Sequence, residues 1–213
     1  MSQQFEWNGV DALKVNLDDD QVIVLLDYLV KRCDDDNFSR KFIPVLDDYM
    51  RDCGMAWKVG TRRGFAGLER RVPEGVQIAA EAVMNDSDHA GEVLTGAWRA
   101  AFGVSPDPSK AYGLAIKAVE TAAKPQVSPK DDVATLGKMR GVLRDQKWGL
   151  PLAQQDDEGL ILREMVSALW TGQTDRHGSD GPLVTPTQEQ AETAIMLAVP
   201  LVHWFSSGAA SRP

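Results

Sequence analysis

Residues 159–205 read GLILREMVSALWTGQTDRHGSDGPLVTPTQEQAETAIMLAVPLVHWF. Apolar residues recur at helical spacing on both sides of a polar, glycine-containing turn. In the first half Leu160, Ile161, Met165, Ala168 and Leu169 are expected on one broad face, with Gly172 as a C-cap in the left-handed conformation. In the second half Thr185 or Thr187 can accept the first free N–H groups, and Glu189 and Gln190 suit the first turn. Ala191, Ala194, Ile195, Ala198, Leu201, Val202 and Phe205 then form an apolar stripe rich in small residues. Pro200 is expected to bend that helix or cost it a hydrogen bond. Between the helices lies a turn of about a dozen residues carrying Arg176-His177-Gly178, a normal length for a functional connection.

The same logic extends in both directions. Upstream, Asp131 or Asp132 is expected to open a helix with Val133, Leu136, Met139, Val142 and Leu143 on its apolar face. Before that, Asp107 or Ser109 starts AYGLAIKAVETAAK, whose face is Tyr112, Ala115, Ile116, Val119 and Ala123, and which Pro125 and Pro129 should stop. Two further helices are expected at about 77–84 and 90–102. Near the N-terminus, Asp18-Asp19-Asp20 precedes QVIVLLDYLVKRC. Carboxylates at a helix start and Lys31 and Arg32 at its end suit the helix dipole, so a helix is favoured over a strand despite Val22-Ile23-Val24. The aspartate run is therefore expected to be a solvated cap and not a metal site. Another helix is expected at about 39–53, with a bend at Pro44. The chain is thus all-α. The turn GVSPDPSK suggests a boundary, with an N-terminal helical region over 1–103 and a four-helix domain over 104–213.

One stretch departs from this pattern. Residues 54–75, GMAWKVGTRRGFAGLERRVPEG, are glycine-dense and hold Lys58, Arg62, Arg63, Arg70 and Arg71 against Glu69 and Glu74. This is a basic loop or short hairpin. It offers a phosphate or RNA contact, because Arg pairs bidentately with phosphate, or else it neutralises the aspartate-rich helices beside it. No Walker or GxGxxG spacing occurs, so no nucleotide-binding fold is indicated.

Composition bounds the rest. The chain has 213 residues, a net charge of −8, 43% hydrophobic and 25% charged residues, and a pI near 4.9. That suits a globular protein with a real core and argues against a non-specific nucleic-acid coat. The charge is uneven. Residues 1–109 hold 12 Lys and Arg against 19 Asp and Glu, whereas 110–180 hold ten of each, so any RNA contact must come from a local patch. Cys33 and Cys53 form no CxxC pair, and His89, His177 and His203 are far apart, so neither a metal site nor a cofactor is expected. Both thiols are expected buried and reduced. No apolar run is long enough to span a membrane, and the N-terminus lacks a basic, then apolar leader, which points to the cytoplasm. His89 is expected at the surface and His203, beside Trp204, in a core or interface.

Over residues 90–208, the series GAWRAAFGVSPDPSKAYGLAIKAVE, then a TLGKMR helix, then LW–x2–Q–x2–RHG, then TPTQEQAETAIMLAV resembles the C-terminal domain of abortive-infection proteins. Those domains belong to the HEPN-like helical group. The resemblance implies an antiviral effector that cleaves RNA without metal, works as a homodimer, and carries R-x(4–6)-H as its motif. His177 takes the place of the motif histidine. The positions with four to six intervening residues are Gly172, Thr171 and Trp170, none of them Arg, so Arg176 is left as the neighbouring cation. Gln173 and Asp175 are the candidates to orient the imidazole or bond the base, with Trp170 beside them. Ala191, Ala194 and Ala198 would permit close approach of helices at the dimer interface. The alternative is a catalytically inactive module of the same shape that binds a regulatory protein or a nucleotide. A structural role for the turn stands beside both, with Arg176 on the last helix carbonyls, His177 bonded to backbone and Gly178 at positive φ.

Overall fold

The computed structural model describes residues 17–32, 39–152, 159–173 and 185–213. Cys33 and the 174–184 turn, with Asp175, Arg176, His177 and Gly178, lie outside them. In chain order the described residues form α1 (Asp19–Arg32), α2 (Ser39–Asp52), β1 (Trp57–Arg62), β2 (Phe65–Arg70), α3 (Glu74–Asp86), α4 (Asp88–Phe102), α5 (Pro108–Val127), α6 (Leu136–Asp145), α7 (Leu160–Thr171) and α8 (Gln188–Ser207). The protein is all-α apart from one small hairpin. It divides into two compact units, 1–71 and 72–213. The turn expected to separate domains at 103/104 falls within the second unit, between α4 and α5, which pack on one another.

The first unit is built around the hairpin. Its strands pair antiparallel with Val59 opposite Leu68 and Gly60 opposite Gly67. The two-residue link is Arg63-Gly64, with φ of 49° and 79°. Positive φ at both positions is what a type I′ turn demands, and its twist matches that of the strands. A two-stranded ribbon leaves outward N–H groups on both edges. Here a helix carboxylate meets one such group on each edge. The Val59 N–H donates to Asp47 Oδ1 of α2 at 3.0 Å, and the Leu68 N–H donates to Asp27 Oδ1 of α1 at 2.9 Å. Asp27, itself buried, also holds Lys31 Nζ at 2.5 Å. Ile23, Val30, Met50, Ala66 and Leu68 form the unit's small core. The aspartates before α1 act as expected. The Gln21 N–H donates to Asp18 Oδ1 and the Asp18 N–H donates to Gln21 Oε1, a reciprocal cap.

The second unit is a bundle centred on α5. Helices α4 and α8 pack along α5, α6 packs on α5 and α7, and α7 and α3 both meet α8. Ala111, Ala115, Ala118, Ala122 and Ala123 of α5 and Ala191, Ala194 and Ala198 of α8 are buried. Small side chains let the axes approach closely, and Trp98, Phe102 and Phe205 fill what remains. The three α8 alanines that could have served a dimer are therefore spent inside the chain. The whole predicted α8 stripe is buried, and Thr187 forms the capping box with Gln190. On α5, Asp107 accepts from the Lys110 N–H as the cap.

Several local expectations are corrected. Helix α5 runs through Pro125 to Val127, because Val127 is buried and the Gln126 amide donates to the Phe205 carbonyl, which holds the last turn in place. Helix α8 also continues past Pro200, which lacks the N–H for one helical bond as expected, and its inward face is wholly in the core. Helix α6 starts at Leu136, capped by Thr135, since Asp131 turns back on itself and accepts from the Val133 N–H instead. Val133 is exposed as a result. On α7 the buried face is Leu162, Val166 and Leu169, while Leu160 and Ile161 are half exposed to solvent. Cys53 is an exposed free thiol and His203 is exposed and so outside the core, whereas His89 lies at the surface as expected. Neither polar side chain is drawn inward by a hydrogen-bonding partner in the core.

Two backbone approaches close the bundle. Gly149 and Ser211 exchange N–H···O bonds of 2.9 and 3.1 Å, tying the C-terminal tail to the strand-like turn after α6. Gly159, with φ of 64°, lies directly under the Trp148 carbonyl. Trp148 is buried against Phe205, with ring centroids 6.5 Å apart.

Candidate functional site

The predicted site has two parts, and the structure treats them differently. The basic hairpin directs most of its charge inward. Arg62 is 5% exposed and makes two hydrogen bonds to Glu69, through Nη1 to Oε2 and through Nη2 to Oε1, the latter at 2.8 Å. Lys58 Nζ stands 3.5 Å from the same carboxylate. Arg71 reaches Asp47 at 3.3 Å and the Met55 carbonyl at 3.2 Å. Glycine makes this possible: a Cβ at Gly60 would stand 2.5 Å from the Glu69 carboxyl carbon, so only glycine leaves room for that carboxylate to cross the ribbon. Arg63 is exposed at the turn and Arg70 is half-buried. Lys58 and Arg62 are thus held by the hairpin's own Glu69, and Arg71 pairs with Asp47 of α2, the kind of helix aspartate the neutralising reading named. Sequence did not separate the two readings because pairing across a hairpin depends on register, not composition.

The other part surrounds the end of α7. Arg176, His177 and Asp175 lie outside the described residues, but the helix ends that flank them do not. The Tyr112 hydroxyl donates to the Leu169 carbonyl at 3.1 Å. Gly172 lies against that hydroxyl, where a Cβ would come within 2.3 Å. Its φ is −72°, so glycine is required there for close approach and not for the left-handed conformation expected from sequence. Gln173 is half-buried with its amide beside Gly113. Trp170 does not reach outward. Its indole covers Gly137 of α6, with Cζ2 only 2.4 Å from where a Cβ would be. Gly137→Ala should therefore push the α6–α7 contact apart and destabilise the second unit by about 2 kcal/mol, as overpacking typically does. Thermal unfolding measures this, and a variant as stable as the parent would show that Trp170 has room to move.

Next along the same seam, Arg140 Nε of α6 donates to Ser167 Oγ of α7 at 3.0 Å. Sequence analysis missed this pair because nothing local links residues 27 apart. Among the described residues, no group of three or more His, Cys, Asp or Glu side chains could hold a metal ion, and no helix is long and apolar enough to cross a membrane. No family model, curated protein or solved structure matches the chain.

Proposed function

We propose that this protein is an abortive-infection type antiviral effector that cleaves RNA without metal, with His177 and Arg176 central and a homodimer as the working form. The reading is supported by the resemblance over 90–208, and by one structural observation above others. The segment carrying Arg176 and His177 joins two firmly held helix ends, Gly172 seated on the Tyr112 hydroxyl and Thr187 in its capping box. Fixed ends are what a loop needs to present catalytic groups reproducibly. In the proposed chemistry His177 takes the proton from a ribose 2′-hydroxyl as that oxygen attacks the adjacent phosphorus. The bond to the 5′-oxygen breaks and that oxygen takes a proton from water, leaving a 2′,3′-cyclic phosphate and a 5′-hydroxyl, while Arg176 stabilises the charge on the non-bridging oxygens and His177 later returns its proton to solvent. Gln173 and Asp175 orient the imidazole.

A second reading is favoured by Trp170. The helix positions where a motif arginine would stand hold Trp170, Thr171 and Gly172, and Trp170 is committed to packing on Gly137. A module that binds a regulatory protein or a nucleotide without cutting it would tolerate that loss. RNA cleavage in the presence of chelator separates the two. Under the first reading, His177→Ala lowers the rate by about 100-fold or more with helicity and oligomer mass unchanged. No cleavage by the parent, or equal cleavage by both proteins, selects the binding module.

A further inference from the structure

We propose that Arg140 and Ser167 form an oxyanion site on the α6–α7 seam that takes a phosphate group. The site stands whether or not the 176–177 turn cuts RNA.

The argument is one of unmatched donors. Ser167 Oγ accepts from Arg140 Nε at 3.0 Å, so the serine hydroxyl proton points elsewhere. Among the described residues that proton meets no acceptor, and Arg140 meets no carboxylate. The two Nη groups of Arg140 and the hydroxyl of Ser167 are therefore a set of donors with no acceptor, on side chains that are each half-buried. A planar guanidinium fork with an adjacent hydroxyl matches the oxygens of phosphate. There is room for a ligand, because Gly141 beside Arg140 bears no side chain and faces open space.

The register extends the site. Gly137 meets Trp170 and Arg140 meets Ser167, so three residues forward on α6 is three residues back on α7. The helices are antiparallel here, and Arg144 falls opposite Arg163. Among the described residues each pairs with its exposed chain neighbour: Asp145 at 2.8 Å from Arg144 and Glu164 at 3.8 Å from Arg163. Asp145 holds the Arg144 guanidinium charged by hydrogen bonding, then by coulombic attraction. Such surface pairs are weak and exchange readily with an incoming anion. The seam thus carries Arg140, Arg144 and Arg163 along one line of the register, a local basic stretch in a chain that is acidic overall.

The phosphate can come from an RNA backbone or from a free phosphate or nucleotide, and the test distinguishes them. The Arg140 Nε–H resonance would be followed while inorganic phosphate replaces chloride at constant ionic strength. Binding of a fluorescein-labelled single-stranded RNA would be followed by anisotropy across a salt series. For an RNA phosphodiester, Arg140→Gln raises the RNA Kd roughly tenfold, as loss of a charged hydrogen bond does, and lowers the salt slope by about one. Ser167→Ala, which keeps the charge, weakens binding several-fold, and the control Lys117→Gln on the surface of α5 changes little. A phosphate-dependent resonance shift with RNA affinity untouched by Arg140→Gln supports the site and assigns it to free phosphate. If Arg140→Gln unfolds the protein, Ser167→Ala and Arg140→Lys decide the matter by the same readouts. No phosphate-dependent shift at Arg140, or equal losses in Lys117→Gln, overturns the proposal.

Discussion

Gly159→Ala should be among the most destabilising single substitutions in the second unit. A Cβ there would stand 1.6 Å from the Trp148 carbonyl oxygen and 2.6 Å from its carbon. Both are backbone atoms, so no side chain can rotate away. The residue also has φ of 64°, which an L side chain adopts only at a cost. Nor can Trp148 retreat. Its ring is buried against Phe205, and the next residue is bonded in both directions to Ser211. The expected loss is about 4 kcal/mol or more, the range reserved for substitutions that break a named backbone constraint. Urea unfolding followed by far-UV circular dichroism measures it. The Gly149–Ser211 amides should lose their protection from hydrogen exchange first, because the clash is adjacent to them. A midpoint within experimental error of the parent would mean that the chain at 159 does not pass beneath Trp148.

Glu69→Ala is the counterpart in the first unit. It removes the carboxylate that takes two hydrogen bonds from the buried Arg62 and also releases Lys58. An arginine that is 5% exposed cannot recover its hydration, so losing a carboxylate that takes two of its hydrogen bonds is costly. Breaking a buried pair from one side costs about 3–5 kcal/mol. The same physics predicts a rescue: the double variant Arg62→Met with Glu69→Leu removes both charges together and should regain most of the loss. Hydrogen exchange at the β1 and β2 amides would report it residue by residue. If Glu69→Ala is mild and the double variant no better, the pair contributes register and little stability. Gly60→Ala should resemble Glu69→Ala, since a Cβ there displaces the same carboxylate.

How much of this could be read in advance differs between the parts of the chain. Helix α8 was legible along its whole stripe, while its cap was open between Thr185 and Thr187 until the structure placed the capping box at Thr187 and Gln190. Helix α5 was legible along its face but not at its end, where Gln126 reaches the Phe205 carbonyl on another helix and carries the helix past Pro125. Helix α7 misled because eight of its twelve positions are apolar, so periodicity supports more than one face. The basic hairpin was legible as an irregular, cationic stretch, but its charges could be assigned to ligand or to structure only after the register placed Glu69 across from Lys58. The Arg140–Ser167 pair had no local signal of any kind.

By itself, the sequence determined the class of the protein: helices where apolar spacing and caps agreed, one hairpin where glycine and arginine interrupted them, and a polar turn between the last two helices. Those are local properties, governed by hydrogen bonds and side-chain periods within a few residues. Tertiary structure alone decided which glycines admit no side chain and which arginines are locked to carboxylates. The reason is physical. Whether a charge is paired or a Cβ has space depends on groups distant in sequence, and those are brought together only when the elements pack.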